Sequence, residues 1–327
     1  MVKKKEKNAL TQKILARPDS SAVFALLLLI IVFTSTTDSF LSRTNIFNVT
    51  RNAALYMFAS LGQAIVLVTG GMNVSVGAVG GLVTVATGIC LQELGLPIPV
   101  TIGIALCVGI LCGLINGIII TRLKINAFVT TLATSYVYTG LVFGLSKGYA
   151  YTGIPPSFSW IGRTAFLGLP ILFYLIVLMM ILIWFFFRYT MTGRMILATG
   201  GNKEAAQLSG IKTNSILVLV NVMSGLFSAV AALLWVSRMG SAPPATGQDW
   251  VMISYAVSII GGTALAGGRF SPFGFFCSGL MIAIIKNGLI MLEVNIYYEQ
   301  TFLGIIILAA VAFESVRANY TSRVRKL

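Results

Sequence analysis

FRYTMTGRMILATGGNKEAAQLSGIKTN, residues 187–214, is a basic, glycine-bounded insert between two long apolar stretches at 171–187 and 215–236. Within it, Asn202 can cap a short helix at 203–209, and Gly210 can close that helix in the left-handed conformation. Glu204 in the first turn suits the positive end of the helix dipole. A helix this short is marginal alone, so it needs a surface on which to dock. Held at a membrane's cytoplasmic face, it is suited to transmit motion from a soluble partner. From composition alone the segment also reads as a solvated loop with one helical turn.

The rest of the chain supplies the membrane. Of 327 residues, 57% are hydrophobic and only 10% charged, with a mean hydropathy of +0.91; a globular domain carries about 25% charged residues. A transmembrane helix needs roughly 20 mostly apolar residues. Ten segments qualify, at about 20–36, 52–70, 74–91, 98–121, 127–145, 170–187, 215–236, 250–266, 271–292 and 301–316. The expected fold is therefore an all-α polytopic membrane protein with a short cytoplasmic coupling helix. Residues 1–19 form an N-terminal tail, 20–316 a transmembrane domain with its loop at about 188–214, and 317–327 a C-terminal tail. The first apolar run lacks a small-residue cleavage site and is followed by further spans, which argues against a cleaved signal peptide.

A formal charge of +14 invites a nucleic-acid reading, but the distribution answers it. With the N-terminus inside, ten spans leave 17 of the 23 basic residues on the cytoplasmic side and five outside: Arg43, Arg51, Lys147, Arg163 and Arg238. Lys286 alone falls within a span. This asymmetry is the positive-inside pattern. The charge reports orientation, with both termini cytoplasmic, and lipid rather than nucleic acid is the expected surrounding.

Chemistry-bearing residues are sparse. The chain has no histidine, and Cys90, Cys107, Cys112 and Cys277 all lie in apolar runs without a CxxC spacing, as small buried hydrophobes would. No catalytic residue, metal site or cofactor is expected. A Walker A pattern is also missing, so ATP-driven transport would need its motor on another polypeptide. An ion-coupled secondary transporter would place carboxylates at mid-membrane, whereas Glu293 and Glu314 fall near the ends of spans.

Glycine marks packing seams and breaks. Gly109, Gly113 and Gly117 put a small-residue stripe on one face of the fourth span, and Gly77 and Gly81 repeat that spacing in the third; close helix contact is expected for both. GGMNVSVGAVGG (70–81) interrupts an apolar tract with Asn73 and Ser75. Irregular backbone at membrane depth survives only where protein buries it or water reaches it, which makes this break a candidate wall of a substrate path.

Several blocks carry a family resemblance. ATGGNKEAAQLSGI (198–211) resembles the coupling loop of permease subunits of sugar-type ABC importers, the ribose, xylose, galactose and autoinducer-2 group. GGMNVSVGAVGGL (70–82) resembles that family's Gly-Gly-Ile-Asp-Leu-Ser-Val-Gly signature. INAFVTTLATSYVYTGL (125–141), GGTALAGGRF (261–270) and NGLIMLEVNIYYEQ (287–300) match three further blocks, and the likeness runs from about residue 45 to 313. It implies a permease that pairs with a second permease subunit, alike or different, binds two ABC ATPase subunits and receives a sugar from an extracytoplasmic solute-binding protein. Gly200, Gly201, Asn202, Lys203, Glu204, Ala205, Ala206, Ser209 and Gly210 are then the ATPase-coupling residues, and replacing Glu204 or Gly201 is expected to abolish uptake.

Departures from the family pattern share a direction. The signature aspartate is Asn73, Thr139 stands where many members have Arg, and Val251 and Ile253 replace acidic residues. Lys286 and Glu293 appear where the family more often has Asn and Gly. Losing the Asp and the Arg together suggests a family ion pair removed as a unit, which leaves open a non-sugar solute such as a nucleoside or amino acid. Asn73, Ser75, Thr139 and Asn287 are expected to line a water-accessible path. Lys286 is expected either to snorkel to the outer headgroups or to line the path, with Glu293, seven residues on, as its partner.

Overall fold

The computed structural model describes residues 18–295 and, beyond them, residues 298, 300–302, 304, 305 and 308. Most of the expected tenth span and both tails lie outside the described residues. The order is α1 (Pro18–Thr36), α2 (Arg43–Val68), α3 (Val76–Gly88, extended by a wide π-helical turn Ile89–Glu93), α4 (Ile98–Arg122), α5 (Ala127–Ser146) and α6 (Trp160–Arg163). A two-residue hairpin follows, β1 (Ala165–Phe166) against β2 (Leu169–Pro170), antiparallel. Then come α7 (Ile171–Tyr189), α8 (Met191–Gly201), α9 (Lys203–Leu208), α10 (Thr213–Met239), α11 (Trp250–Ile260) and α12 (Pro272–Met291). Seven helices, α2, α3 with its π turn, α4, α5, α7, α10 and α12, are long and apolar enough to cross a membrane, and α1 and α11 carry shorter apolar stretches. The chain is an all-α, multi-pass membrane protein.

Local chemistry sets the helix starts. Ser42, Asn126 and Ser271 accept the amides of Asn45, Phe128 and Gly274 at the entrances of α2, α5 and α12, satisfying donors a helix start leaves orphaned. Pro272 occupies the first turn of α12, where its missing N–H costs nothing.

Packing distinguishes an inner from an outer set of helices. α2 is the centre: Leu55, Met57, Leu61, Ile65 and Leu67 are all fully enclosed. α4, α5 and α7 instead leave Leu111, Ile115, Val137, Ile181 and Leu182 exposed, the pattern of helices with one face in lipid rather than water. Cys107 shares the exposed face of α4, unlike the other three cysteines, which are buried as expected.

The glycine stripe of α4 is a backbone seam against α10. Gly109 meets the carbonyl of Gly225, Gly113 that of Asn221, and Gly117 the backbone of Val218. Any side chain at these positions would strike main-chain atoms, so the seam needs glycine. The second stripe differs from expectation. Gly77 and Gly81 meet the carbonyls of Gly247 and Thr246, in the loop before α11, rather than a neighbouring helix.

Two boundaries depart from the apolar pattern. α11 stops at Ile260, not near 266, because Gly262, Gly267 and Gly268 turn with φ of 82°, 87° and 78°, which L side chains rarely adopt. The basic insert holds a second helix, α8, which the sequence reading took as loop. Thr190 caps it by accepting the Gly193 amide at 3.0 Å.

Candidate functional site

α9 is the helix expected at 203–209, shorter by one residue. Asn202, at φ −157° and ψ 108°, accepts the Ala205 amide at 2.9 Å, and Gly210 closes the end at φ 83°. Ser209 lies just past the helix, its hydroxyl donating to the Ala205 carbonyl at 2.9 Å. Ala206 alone of the helix is buried, and Gln207 Nε2 donates to Thr213 Oγ1 at 2.8 Å, which ties α9 to the start of α10. Lys203, Glu204 and Leu208 point outwards, Leu208 with 91% of its surface exposed. Few isolated surface leucines are so bare; here the whole outer face of a two-turn helix is available.

What lies behind α9 is tightly joined. The last turn of α8 presses Gly200 onto the carbonyl of Val68, at the end of α2, and within 2.7 Å of the Gly268 amide by the measure of an added Cβ. Gly268 N donates to Val68 O at 2.7 Å. Thus the ends of α2 and α8 and the loop after α11 meet backbone to backbone, and α9 hangs from this junction by Asn202. Gly201, one residue away, faces open space.

The break between α2 and α3 leads into a hydrogen-bonded relay. Tyr138 OH donates to the Cys112 carbonyl at 3.1 Å with Asn116 Oδ1 a longer second acceptor at 3.4 Å, and Asn116 Nδ2 donates to Ser75 Oγ at 2.8 Å. Ser75 donates through both its amide and hydroxyl to Asn73 Oδ1, at 2.8 and 2.7 Å, and Asn73 Nδ2 to Ser224 Oγ at 2.8 Å. Asn73 and Ser75 are 3% and 0% exposed. In this conformation they do not face open space, as had been expected; they clamp α3, α4, α5 and α10 together.

The other expected path residues are placed apart. Thr139 is exposed and borders a cleft of about 220 Å³ shared with Val74, Gly77, Thr246, Gln248 and Val251. Asn287 donates to Asn45 Oδ1 at 2.8 Å, joining α12 to the start of α2. Asn73 turns towards Ser224 while Thr139 faces the cleft, so the structure does not bring this pair together as a vanished ion pair. Lys286 does not pair with Glu293, which lies past the end of α12 at φ 54°. Its Nζ sits 3.2 Å from Asp249 Oδ2. The acid sits at the start of α11, two residues before Val251. The sequence reading found acids missing at Val251 and Ile253 and passed over this neighbour.

Comparison with known proteins agrees with this architecture. The family described as the branched-chain amino acid transport system permease component matches residues 45–311. The ribose import permease protein of Haemophilus influenzae is 33% identical over 297 residues, covering 90% of this chain and 92% of that protein. Its counterpart in Bacillus subtilis is 34% identical over 292 residues, 88% and 90% of the two chains. The autoinducer 2 import system permease protein of Photorhabdus luminescens is 29% identical over 295 residues, 90% and 88%. No solved structure matches the chain. With one family covering most of its length and relatives above 30% identity along nearly all of it, the chain belongs to this family of permease components of import systems.

Proposed function

We propose that the chain forms the translocation path for a sugar or sugar-like polar solute in a binding-protein-dependent ABC importer, with ATP hydrolysis on a separate subunit. The observation that carries this reading is α9: a capped, two-turn helix, nearly all exposed and hung from a backbone junction with two other segments. A marginal helix with a bare Leu208 gains stability from a cleft in a partner, and the junction gives any displacement of α9 a rigid route into α2. Two relatives carry ribose in their names, which supports a sugar as solute.

Orientation follows from the same junction. Val68, Gly200 and Gly268 cluster at the end that the basic residues assign to the cytoplasm. The opposite end gathers the isolated bridge between Tyr151 and Ala242, and the bonds from Arg163 to the Arg238 and Met239 carbonyls. This arrangement supports an inner-membrane protein whose outer face receives a solute-binding protein and which works beside a second permease subunit.

Affinity purification of the tagged chain from its native membrane tests the reading. A Walker-containing ATPase is expected with the wild type, to be lost with Leu208→Asp while membrane insertion persists, and wild-type cells are expected to accumulate labelled ribose. Recovery of no ATPase, or equal recovery with Leu208→Asp, would overturn it.

A further inference from the structure

Two spans are broken inside the bundle, and the breaks meet. The first is 69–75, between α2 and α3, where the Val74 amide donates to Thr131 Oγ1 of α5 at 3.0 Å. The second is 240–249, between α10 and α11. It leaves the outer end, where Ala242 bridges to Tyr151, and with Gly247 it reaches Gly77 in the first turn of α3. Tyr151 covers Gly88 at the other end of that helix, about 16 Å away by the helical rise. α11 then starts with Trp250 fully enclosed, so it is a half-span that begins within the protein. Between the two breaks lies the cleft of about 220 Å³. Val74 borders it from the first break, Thr246, Gly247 and Gln248 from the second, and Thr139 from α5.

Irregular backbone at membrane depth needs protein or water around it, and helix breaks that meet there are where transporters hold a solute. Thr139 is at such depth. It stands twelve residues, about 18 Å, from the start of α5 and seven, about 10 Å, from its end. Thr87, Thr121 and Thr131 each donate to the carbonyl four residues back in their own helices. The Thr139 hydroxyl makes no such bond, and the Gln248 amide makes no side-chain bond among the described residues. Both residues are exposed. Against lipid chains these groups would be stranded, whereas water or a polar solute in the cleft satisfies them. We infer that the cleft is a solute contact, in which the Thr139 hydroxyl and the Gln248 amide hydrogen-bond the hydroxyl groups of a neutral polyol during passage. This inference rests on the permease reading and identifies where the solute is touched.

Size and chemistry both support it. The cleft is smaller than the roughly 300 Å³ at which pockets for drug-sized molecules begin, which restricts it to a small solute. A hydroxyl and an amide each donate and accept, and neither carries a charge. Adjacent sugar hydroxyls match that demand. No charged side chain borders the cleft, and Asp249, the residue after Gln248, is held by Lys286 at 3.2 Å. A carboxylate or ammonium would therefore find no counter-charge. The relay from Tyr138 to Ser224 fixes the first break from behind and holds the wall.

Thr139→Val keeps the side chain's shape and Gln248→Leu most of its bulk, and neither breaks a bond within the chain. In the complete transporter, with ATPase and binding protein, both variants are expected to melt at the wild-type temperature. Ribose uptake at low concentration should fall about tenfold in each, the factor carried by one lost hydrogen bond. Wild-type uptake by either variant would overturn the inference. A second arm does not depend on the chosen sugar. Thr139→Cys, in a chain whose four native cysteines are replaced by alanine, should react with a charged methanethiosulfonate during ATP turnover. Reaction with a membrane-soluble maleimide alone would place position 139 against lipid and overturn the inference. So would a disulfide between two such copies with the charged reagent excluded in every nucleotide state, which would make the position a subunit contact. Failure of the wild type to import ribose or galactose would count against the sugar reading alone, and labelling would still decide the contact.

Discussion

Lys286 Nζ lies 3.2 Å from Asp249 Oδ2 and 5.0 Å from the centroid of the Tyr56 ring, so the cation within α12 is held by α11 and α2 together. The lysine side chain is 13% exposed and the aspartate 40%. Water screens part of the pair, and breaking it should cost less than the 3–5 kcal/mol of a fully buried one. Asp249→Asn is expected to lower stability by about 1 kcal/mol, because it removes the charge of a partly exposed pair while the lysine keeps its place over Tyr56. Lys286→Met should cost less, since Met fills the same space against Tyr56. A double-mutant cycle on thermal melts of the detergent-solubilised chain should return a favourable coupling of at least ~0.5 kcal/mol. Strict additivity would mean that the contact contributes nothing.

Gly200 and Gly201 should respond in opposite directions. A Cβ on Gly200 meets the Val68 carbonyl and the Gly268 amide, neither of which can move without opening the junction. Gly200→Ala is expected to destabilise by about 1–3 kcal/mol, as overpacking does, and to uncouple transport from ATP hydrolysis. Gly201→Ala meets no neighbour within 4 Å. It replaces a helical glycine, so stability should stay level or rise by up to ~1 kcal/mol. The sequence reading placed the sensitive positions at Glu204 and Gly201; the backbone contacts add Gly200 as a position where a side chain has no room. Melting and ribose-stimulated ATP hydrolysis of the two variants check the contrast.

Asn202 is the pivot from which α9 hangs, and its side chain caps α9 through the Ala205 amide. Asn202→Ala should cost about 1 kcal/mol locally, enough to unfold a marginal two-turn helix much of the time. Global melting should barely move, since Ala206 is the one buried residue in α9. Faster amide exchange confined to 203–208, with weaker ATPase retention, is the expected result. Unchanged exchange would show that docking onto α10 through Gln207 suffices.

Much of this was legible in the chain, and the misses have physical causes. The ends of α4, α5, α7 and α12 were legible to within two residues, because a span's length is set by the bilayer and its ends by polar residues and caps. α2 begins near Arg43, earlier than hydropathy suggested, because Asn45 and Asn48 sit on its first turns yet bond within the protein. α8 escaped notice because Thr190 was not read as a cap and the glycines after it suggested a loop. The α4 glycine spacing revealed a seam but not its partner. Asp249 was unreadable as the partner of Lys286, since the ion pair does not exist until α11 and α12 are brought together.

Asn73→Asp would introduce the aspartate that the family resemblance leads one to expect at this position, and the relay makes its outcome predictable. Asn73 Oδ1 accepts two bonds from Ser75, which a carboxylate would keep, but Nδ2 now donates to Ser224 Oγ. An Asp oxygen there cannot donate, so the Ser224 hydroxyl must reverse to become the donor. The new charge would stand 3% exposed with no basic side chain in the relay. Burying it without a counter-charge should cost at least ~2 kcal/mol, read as a lower melting temperature with insertion intact. Adding Thr139→Arg should not recover the loss, because position 139 opens on the cleft while position 73 turns towards α10. Recovery in the double variant to wild-type melting would show that the two positions do meet, and that their charges were lost as a pair.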